Sequence, residues 1–213
     1  MSKLRRNCRL AESDEQVMVC PASIRWLDDK IPKCYIGQCY IQLKSGVERL
    51  DKDGNVKQTL YVSRLGGHLF TRIKSSLASD YQWRQVPHDY SPHEQARLRG
   101  GNYRSPNGNT GSCYIRVPSN WGHFQLHTVV LHAWVGARPE PYYDAERGKM
   151  VKYEGDHLDG NPLNNNADNL EWVTDIENDR RATLFRRLRK TRFDPASCTT
   201  ATLRIILNAT TTF

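Results

Sequence analysis

Apolar positions along the chain fall into short strand-like runs broken by turn residues, with one clear helical period among them. The run CYIGQCYIQLKSG, from Cys34, is rich in Tyr and Ile and reads as strand. ERLDKDGNVKQTLYVSRL follows, and Asp53-Gly54 between its two halves predicts a hairpin, because Gly tolerates positive φ. GGHLFTRIKSS reads as another short strand, so residues 34–79 predict a β-rich module. Residues 80–112 concentrate Gly, Pro, Asn and Ser and read as a basic loop or linker carrying Arg97, Arg99 and Arg104. Residues 1–33 show no clear period and take no assignment.

Regular pattern returns across residues 113–192. CYIRVPSNWGHFQL reads as two strand-like runs about Asn120-Trp121-Gly122. In HTVVLHAWVGARPEP, His127, Val130, Leu131 and Trp134 fall on one helical face, and Gly136 and Pro139 end the helix. GKMVKYEGDHLDG reads as a strand ending near His157, with a turn at Asp159-Gly160. LEWVT is a second short strand, and a helix starts at Asp175 with Thr174 and Glu177 spaced as a capping box. Residues 193–213 form a Thr-rich, β-prone tail.

Charge changes the picture next. The 213 residues carry a formal net charge of +8 and a pI of about 9.3, which favours a polyanionic partner such as nucleic acid. Seven cations, Arg180, Arg181, Arg186, Arg187, Arg189, Lys190 and Arg192, crowd one helix with no acidic residue among them. That exceeds what the helix dipole alone needs at a C-terminus. No apolar run has the length of a membrane span, and the basic start MSKLRRNCRLAESDEQ lacks an apolar stretch, so the chain reads as intracellular. The six cysteines form no Cys-x-x-Cys pair and read as reduced thiols; a zinc site at Cys34 and Cys39 with a distant third ligand is the alternative.

The chemistry concentrates in GDHLDGNPLNNNADNLEWVTDIEN, Gly155 to Asn178. A strand–loop–strand–helix path brings Asp156, His157 and Asn178 together. The Asp156 carboxylate and the Asn178 amide oxygen are hard donors suited to Mg²⁺ or Mn²⁺. An imidazole beside them can act as general base near neutral pH. One oxygen-bound cation and one base suffice for phosphodiester hydrolysis. Neighbouring strand residues point to opposite faces, so Asp156 and His157 reach one phosphate only if the strand ends or twists there.

This segment closely resembles the HNH endonucleases, in the form found in phage and intron-encoded homing enzymes. HTVVLHAWVGARPEP resembles the helix that precedes the motif, with Thr128 where family members often carry a basic residue. The resemblance implies an α+β fold, a ββα-metal (HNH, His-Me finger) nuclease unit with an N-terminal β-rich module. It implies that His157 is the general base and that Asn169 bridges and orders the loop, so these two form the catalytic set. Asp156 and Asn178 are the implied ligands of one divalent cation, Mg²⁺ or Mn²⁺. The expected activity is hydrolysis of double-stranded DNA by a homing-type nickase or double-strand cutter, monomeric, with no membrane partner, in the cytoplasm of a bacterial or phage-infected cell. Backbone phosphates would meet Arg180, Arg181, Arg186, Arg187, Arg189 and Lys190, and the loop arginines Arg97, Arg99 and Arg104. The rival readings are a DNA-binding protein with a decayed nuclease site, and an HNH nuclease serving restriction or phage DNA packaging.

Overall fold

The structure, a computed structural model, describes residues 7–74, 81–90, 114–190 and 198–209. The unassigned N-terminal stretch supplies three short strands, β1 (Cys8–Leu10), β2 (Gln16–Val19) and β3 (Ile24–Arg25). The main hairpin is β4 (Ile41–Leu50) and β5 (Val56–Ser63), followed by β6 (Leu69–Lys74) and β7 (Tyr81–Val86). Gly54 has φ +87° in the predicted turn, and the Asp51 side chain accepts the Asp53 and Asn55 amides across it. The sheet runs in the order β1-β4-β5-β6-β7-β3, with β2 also on β4. All its pairs are antiparallel except β3 with β7.

Two expectations for this sheet need correction. The strand expected from Cys34 begins only at Ile41, because Pro32 leads Lys33–Tyr35 into a 3-10 turn. Tyr81–Val86, inside the stretch read as loop, is a full strand in register with β6. Its polar composition hid it: Arg72 lies over the Trp83 ring at 4.9 Å, so the pair stacks cation on aromatic rather than apolar on apolar.

β8 (Asp89–Tyr90) and β9 (Ile115–Arg116) form a two-residue pair. The hairpin expected about Asn120-Trp121-Gly122 shrinks to one bridge, Arg116 to Gln125, spanning the 3-10 turn Ser119–Trp121. Helix α1 (Leu126–Trp134) follows. Its Leu126, Val129, Val130 and Leu131 are fully buried against Val47, Leu60, Val62 and Leu69 of the sheet. Each such side chain contributes roughly 1.5–3 kcal/mol when taken out of water, so one apolar core joins the N-terminal sheet to α1. On the opposite face of the sheet Val19, Ile24, Ile41, Leu43, Tyr61 and Phe70 cluster with Tyr35.

Beyond α1 come the hairpin β10 (Tyr142–Asp144) and β11 (Lys149–Val151), then the hairpin β12 (Tyr153–His157) and β13 (Leu170–Thr174), then α2 (Asp175–Lys190). The single strand expected over GKMVKYEGDHLDG is thus two, pairing with different partners. The helix starts at Asp175 as expected, with the Glu177 amide donating to Thr174 Oγ1. The tail expected to be β-prone forms α3 (Thr200–Ala209), whose Leu203 and Leu207 pack on Phe185 and Leu158. Their four-residue spacing puts both on one helical face, which outweighs the strand preference of the threonines. Among the described residues no helix is long and apolar enough to cross a membrane.

Candidate active site

The register of β12 and β13 sets the geometry. Asp156 pairs with Glu171, and His157 with Leu170. Side chains alternate, so Gly155 and His157 face α1, while Glu154 and Asp156 face α2. The contacts agree. A Cβ on Gly155 would lie 2.7 Å from Leu131 Cδ1 and 2.8 Å from His127 Cδ2, so α1 packs this closely only on glycine. On the other face Asn178 Nδ2 donates to Glu154 at 2.6 Å, and Arg181 Nη1 donates to Asp156 at 3.1 Å.

His157 is 4% exposed. Its ring centroid lies 5.2 Å from that of His127 and 6.1 Å from that of Tyr114. Its Nε2 is 3.4 Å from Asn165 Oδ1. Burial lowers its proton affinity, with the Asn165 bond and the Asp159 charge acting against that, so the ring stands as a neutral base. His127 is held down further, to about 3, by burial and then by His157.

The α2-facing side is charged. Asp156 lies opposite Glu171, an arrangement that is unfavourable between like charges on paired strands. Arg181 resolves it, being 6% exposed and ion-paired with Asp156, Glu171 and Glu177. Burial still pushes the Asp156 carboxyl up to about 6, against the pull of Arg181. Asn178 and Arg181 are three residues apart on one helical face, and Glu154 and Asp156 two apart on one strand face. The two expected ligands therefore share the β12–α2 interface.

The donor chemistry here fits a hard divalent cation. Asp156 offers a carboxylate and Asn178 an amide oxygen, its Nδ2 being committed to Glu154. Glu154, Asp156, Glu171 and Glu177 meet Arg180 and Arg181 around Asn178. No group of three or more His, Cys, Asp or Glu gathers as a metal cage among the described residues, so water and substrate oxygens must complete the shell. The same finding bears on zinc: Cys34 Sγ comes within 3.7 Å of His68 Nε2, but among the described residues no third such ligand joins them.

Asn169 stitches the loop between β12 and β13. It is 5% exposed, its Nδ2 donates to Asp159 Oδ1 and to the Asn164 carbonyl, and its Oδ1 accepts the Asp159 amide. The arginines divide. Arg181 is turned inward, because three carboxylates surround it, and is not offered to solvent as a phosphate contact. Arg180 donates to Glu177 and to the Leu207 carbonyl of α3. Arg186 and Arg187 are exposed on α2, and the backbone of Arg189 and Lys190 continues the helix. Arg97, Arg99, Arg104 and Arg192 lie outside the described residues.

Sequence reasoning missed Glu154, Glu171, Asn165 and the inward role of Arg181. Spacing held the cue for two of them, since Glu154 is two residues before Asp156 on a strand and Arg181 three after Asn178 on a helix. The hairpin, its ordered loop and the following helix make a ββα unit. Residues 126–180, from the start of α1 into α2, match the family model described as HNH endonuclease. Over that stretch, about a quarter of its length, the chain is similar to HNH endonucleases. No curated protein and no solved structure matches it.

Proposed function

We propose that the protein is a divalent-metal-dependent DNA endonuclease, of the homing type, that hydrolyses phosphodiester bonds to 3′-hydroxyl and 5′-phosphate ends. The observation that carries this reading is the placement of Asp156 and Asn178 on one face of β12–α2, with His157 at the end of the same strand. Among the described strands β12 pairs only with β13. Its other edge is where a phosphodiester meets Asp156 from one face and His157 from the other.

Neutral His157 removes a proton from water as the water oxygen attacks phosphorus. Asp156 and Asn178 would hold the cation, Mg²⁺ or Mn²⁺. When bound, that ion supplies charge stabilisation for the phosphate and the departing oxygen. Asn169 and Asp159 keep the intervening loop closed, so both faces stay in register. Arg186 and Arg187, with Arg189, Lys190 and the loop arginines Arg97, Arg99 and Arg104, supply phosphate contacts that fix orientation without reading sequence.

The test is cleavage of a supercoiled plasmid library carrying random sites, with Mg²⁺ or Mn²⁺, beside EDTA and His157→Ala. Nicked or linear product that disappears with EDTA and falls by about 10²–10⁴-fold in His157→Ala is the expected result. Cleavage that survives in His157→Ala removes His157 as the base. Salt-sensitive binding with no cleavage by the wild-type protein removes the enzymatic reading.

A further inference from the structure

We propose that Asn165 is the positioning residue of His157, and that the turn between β5 and β6 of the N-terminal sheet holds Asn165 in place. The inference rests on the reading of His157 as general base. Asn165 sits in a loop crowded with asparagines, where solvated turn formers are expected. It is instead 1% exposed. A buried carboxamide needs partners, and this one has them: Nδ2 donates to the Leu163 carbonyl at 3.3 Å, and Oδ1 lies 3.4 Å from His157 Nε2. A carboxamide oxygen only accepts. His157 Nε2 therefore bears the proton, and the neutral ring keeps a bare Nδ1. That is the atom left to take a proton from water.

The support comes from outside the ββα unit. Residues 64–67, between β5 and β6, meet the asparagine loop at successive positions. The Arg64 carbonyl accepts the Ala167 amide at 2.9 Å, and Arg64 Nη2 donates to Asp168 at 2.6 Å. The Gly66 amide donates to Asn166 Oδ1 at 2.5 Å. Gly67 has φ +63°, and a Cβ there would lie 3.1 Å from Asn165 Cβ and 3.2 Å from the Asn165 carbonyl. β5 and β6 belong to the sheet that shares its core with α1, so the turn is fixed to the same scaffold that packs on His127 and Gly155. The N-terminal sheet thus completes the catalytic geometry, beyond any part it has in holding DNA.

The experiment uses the full chain and reads the His157 tautomer by long-range ¹⁵N–¹H correlation, alongside kcat, KM and DNA affinity. In the wild type His157 shows Nε2–H with unprotonated Nδ1. Asn165→Ala loses that preference and lowers kcat about tenfold or more, with DNA affinity unchanged. Asn165→Asp keeps an acceptor in place and keeps the Nε2–H tautomer, which a purely packing role does not require. Gly67→Ala, which leaves Asn165 itself intact, lowers kcat in the same direction. A wild-type His157 with Nδ1–H overturns the proposal, as does an Asn165→Ala protein that retains both tautomer and kcat. If Asn165→Ala does not fold, Asn165→Asp and Gly67→Ala carry the test alone: a lost tautomer in the first or an unchanged kcat in the second overturns it. Cleavage that survives His157→Ala is a separate failure, of the general-base reading, and the tautomer measurement distinguishes the two.

Discussion

Toward α1 the β12–β13 hairpin presents Gly155, His157 and Leu170; toward α2 it presents Glu154, Asp156 and Glu171. The α1 face is buried, whereas on the α2 face Asp156 and Arg181 lie mostly out of water and Glu154 is exposed. The α1 face buries imidazoles in their neutral form, His127 held down to about 3. The α2 face buries carboxylates by giving them a guanidinium, and Asp156 still rises to about 6. The base proposed at His157 has to be neutral, and the carboxyl ligand proposed at Asp156 has to be ionised. One strand provides both states because consecutive residues look into two environments.

The sharpest way to break this contrast is to remove the charge at the centre of the α2 face. Arg181→Met leaves Asp156, Glu171 and Glu177 without a shared partner. Stability in EDTA, read by urea unfolding, should fall by roughly 3–5 kcal/mol, the loss typical when one member of a buried ion pair is deleted. A loss under about 1 kcal/mol shows the network to be a solvated surface cluster.

The pH dependence probes the α1 face. His127 has its folded proton affinity lowered from 6.5 to about 3. As pH falls below 6.5 the unfolded chain takes up a proton that the fold refuses, so stability is lost progressively toward pH 3. Between pH 7 and 5 this amounts to about 2 kcal/mol. His157 and His88 shift in the same direction, while Asp156, raised to about 6, gains stability as pH falls through that value. Comparing melting at pH 7 and 5 for the wild type and His127→Gln isolates the His127 share, and equal slopes contradict the assignment.

The smallest effect lies outside both faces. Arg186→Ala and Arg187→Ala should leave melting unchanged, because both side chains are exposed. Each should weaken DNA binding and lessen the slope of log affinity against log salt by about 0.9. An unchanged slope removes the pair from the DNA interface.

What the sequence made legible follows from the range of the forces involved. The α2 start, the Asp53-Gly54 hairpin and the period of α1 are local, each set by a few neighbouring residues, and each stands where expected. The proposed site residues Asp156, His157 and Asn178 stand out in the sequence by residue type and order. Their distribution over two faces depended on how far β12 stays paired, and pairing runs through His157. Arg181 looked like a phosphate contact because its charge was visible, whereas the three carboxylates that enclose it come from three different elements. α3 was hidden for a similar reason. Its threonines favour strand locally, and only Phe185 and Leu158 give Leu203 and Leu207 a surface to cover.

The measurement that goes most directly to the division between the faces is thermal stabilisation by Mn²⁺, without DNA, in the wild type, Asp156→Ala and His157→Ala. A cation held on the α2 face raises the melting temperature by mass action. The account predicts that Asp156→Ala abolishes this rise, while His157→Ala keeps it in full although it no longer cleaves DNA. Loss of the Mn²⁺ response in His157→Ala, or its persistence in Asp156→Ala, contradicts the assignment of cation and base to opposite faces of one strand.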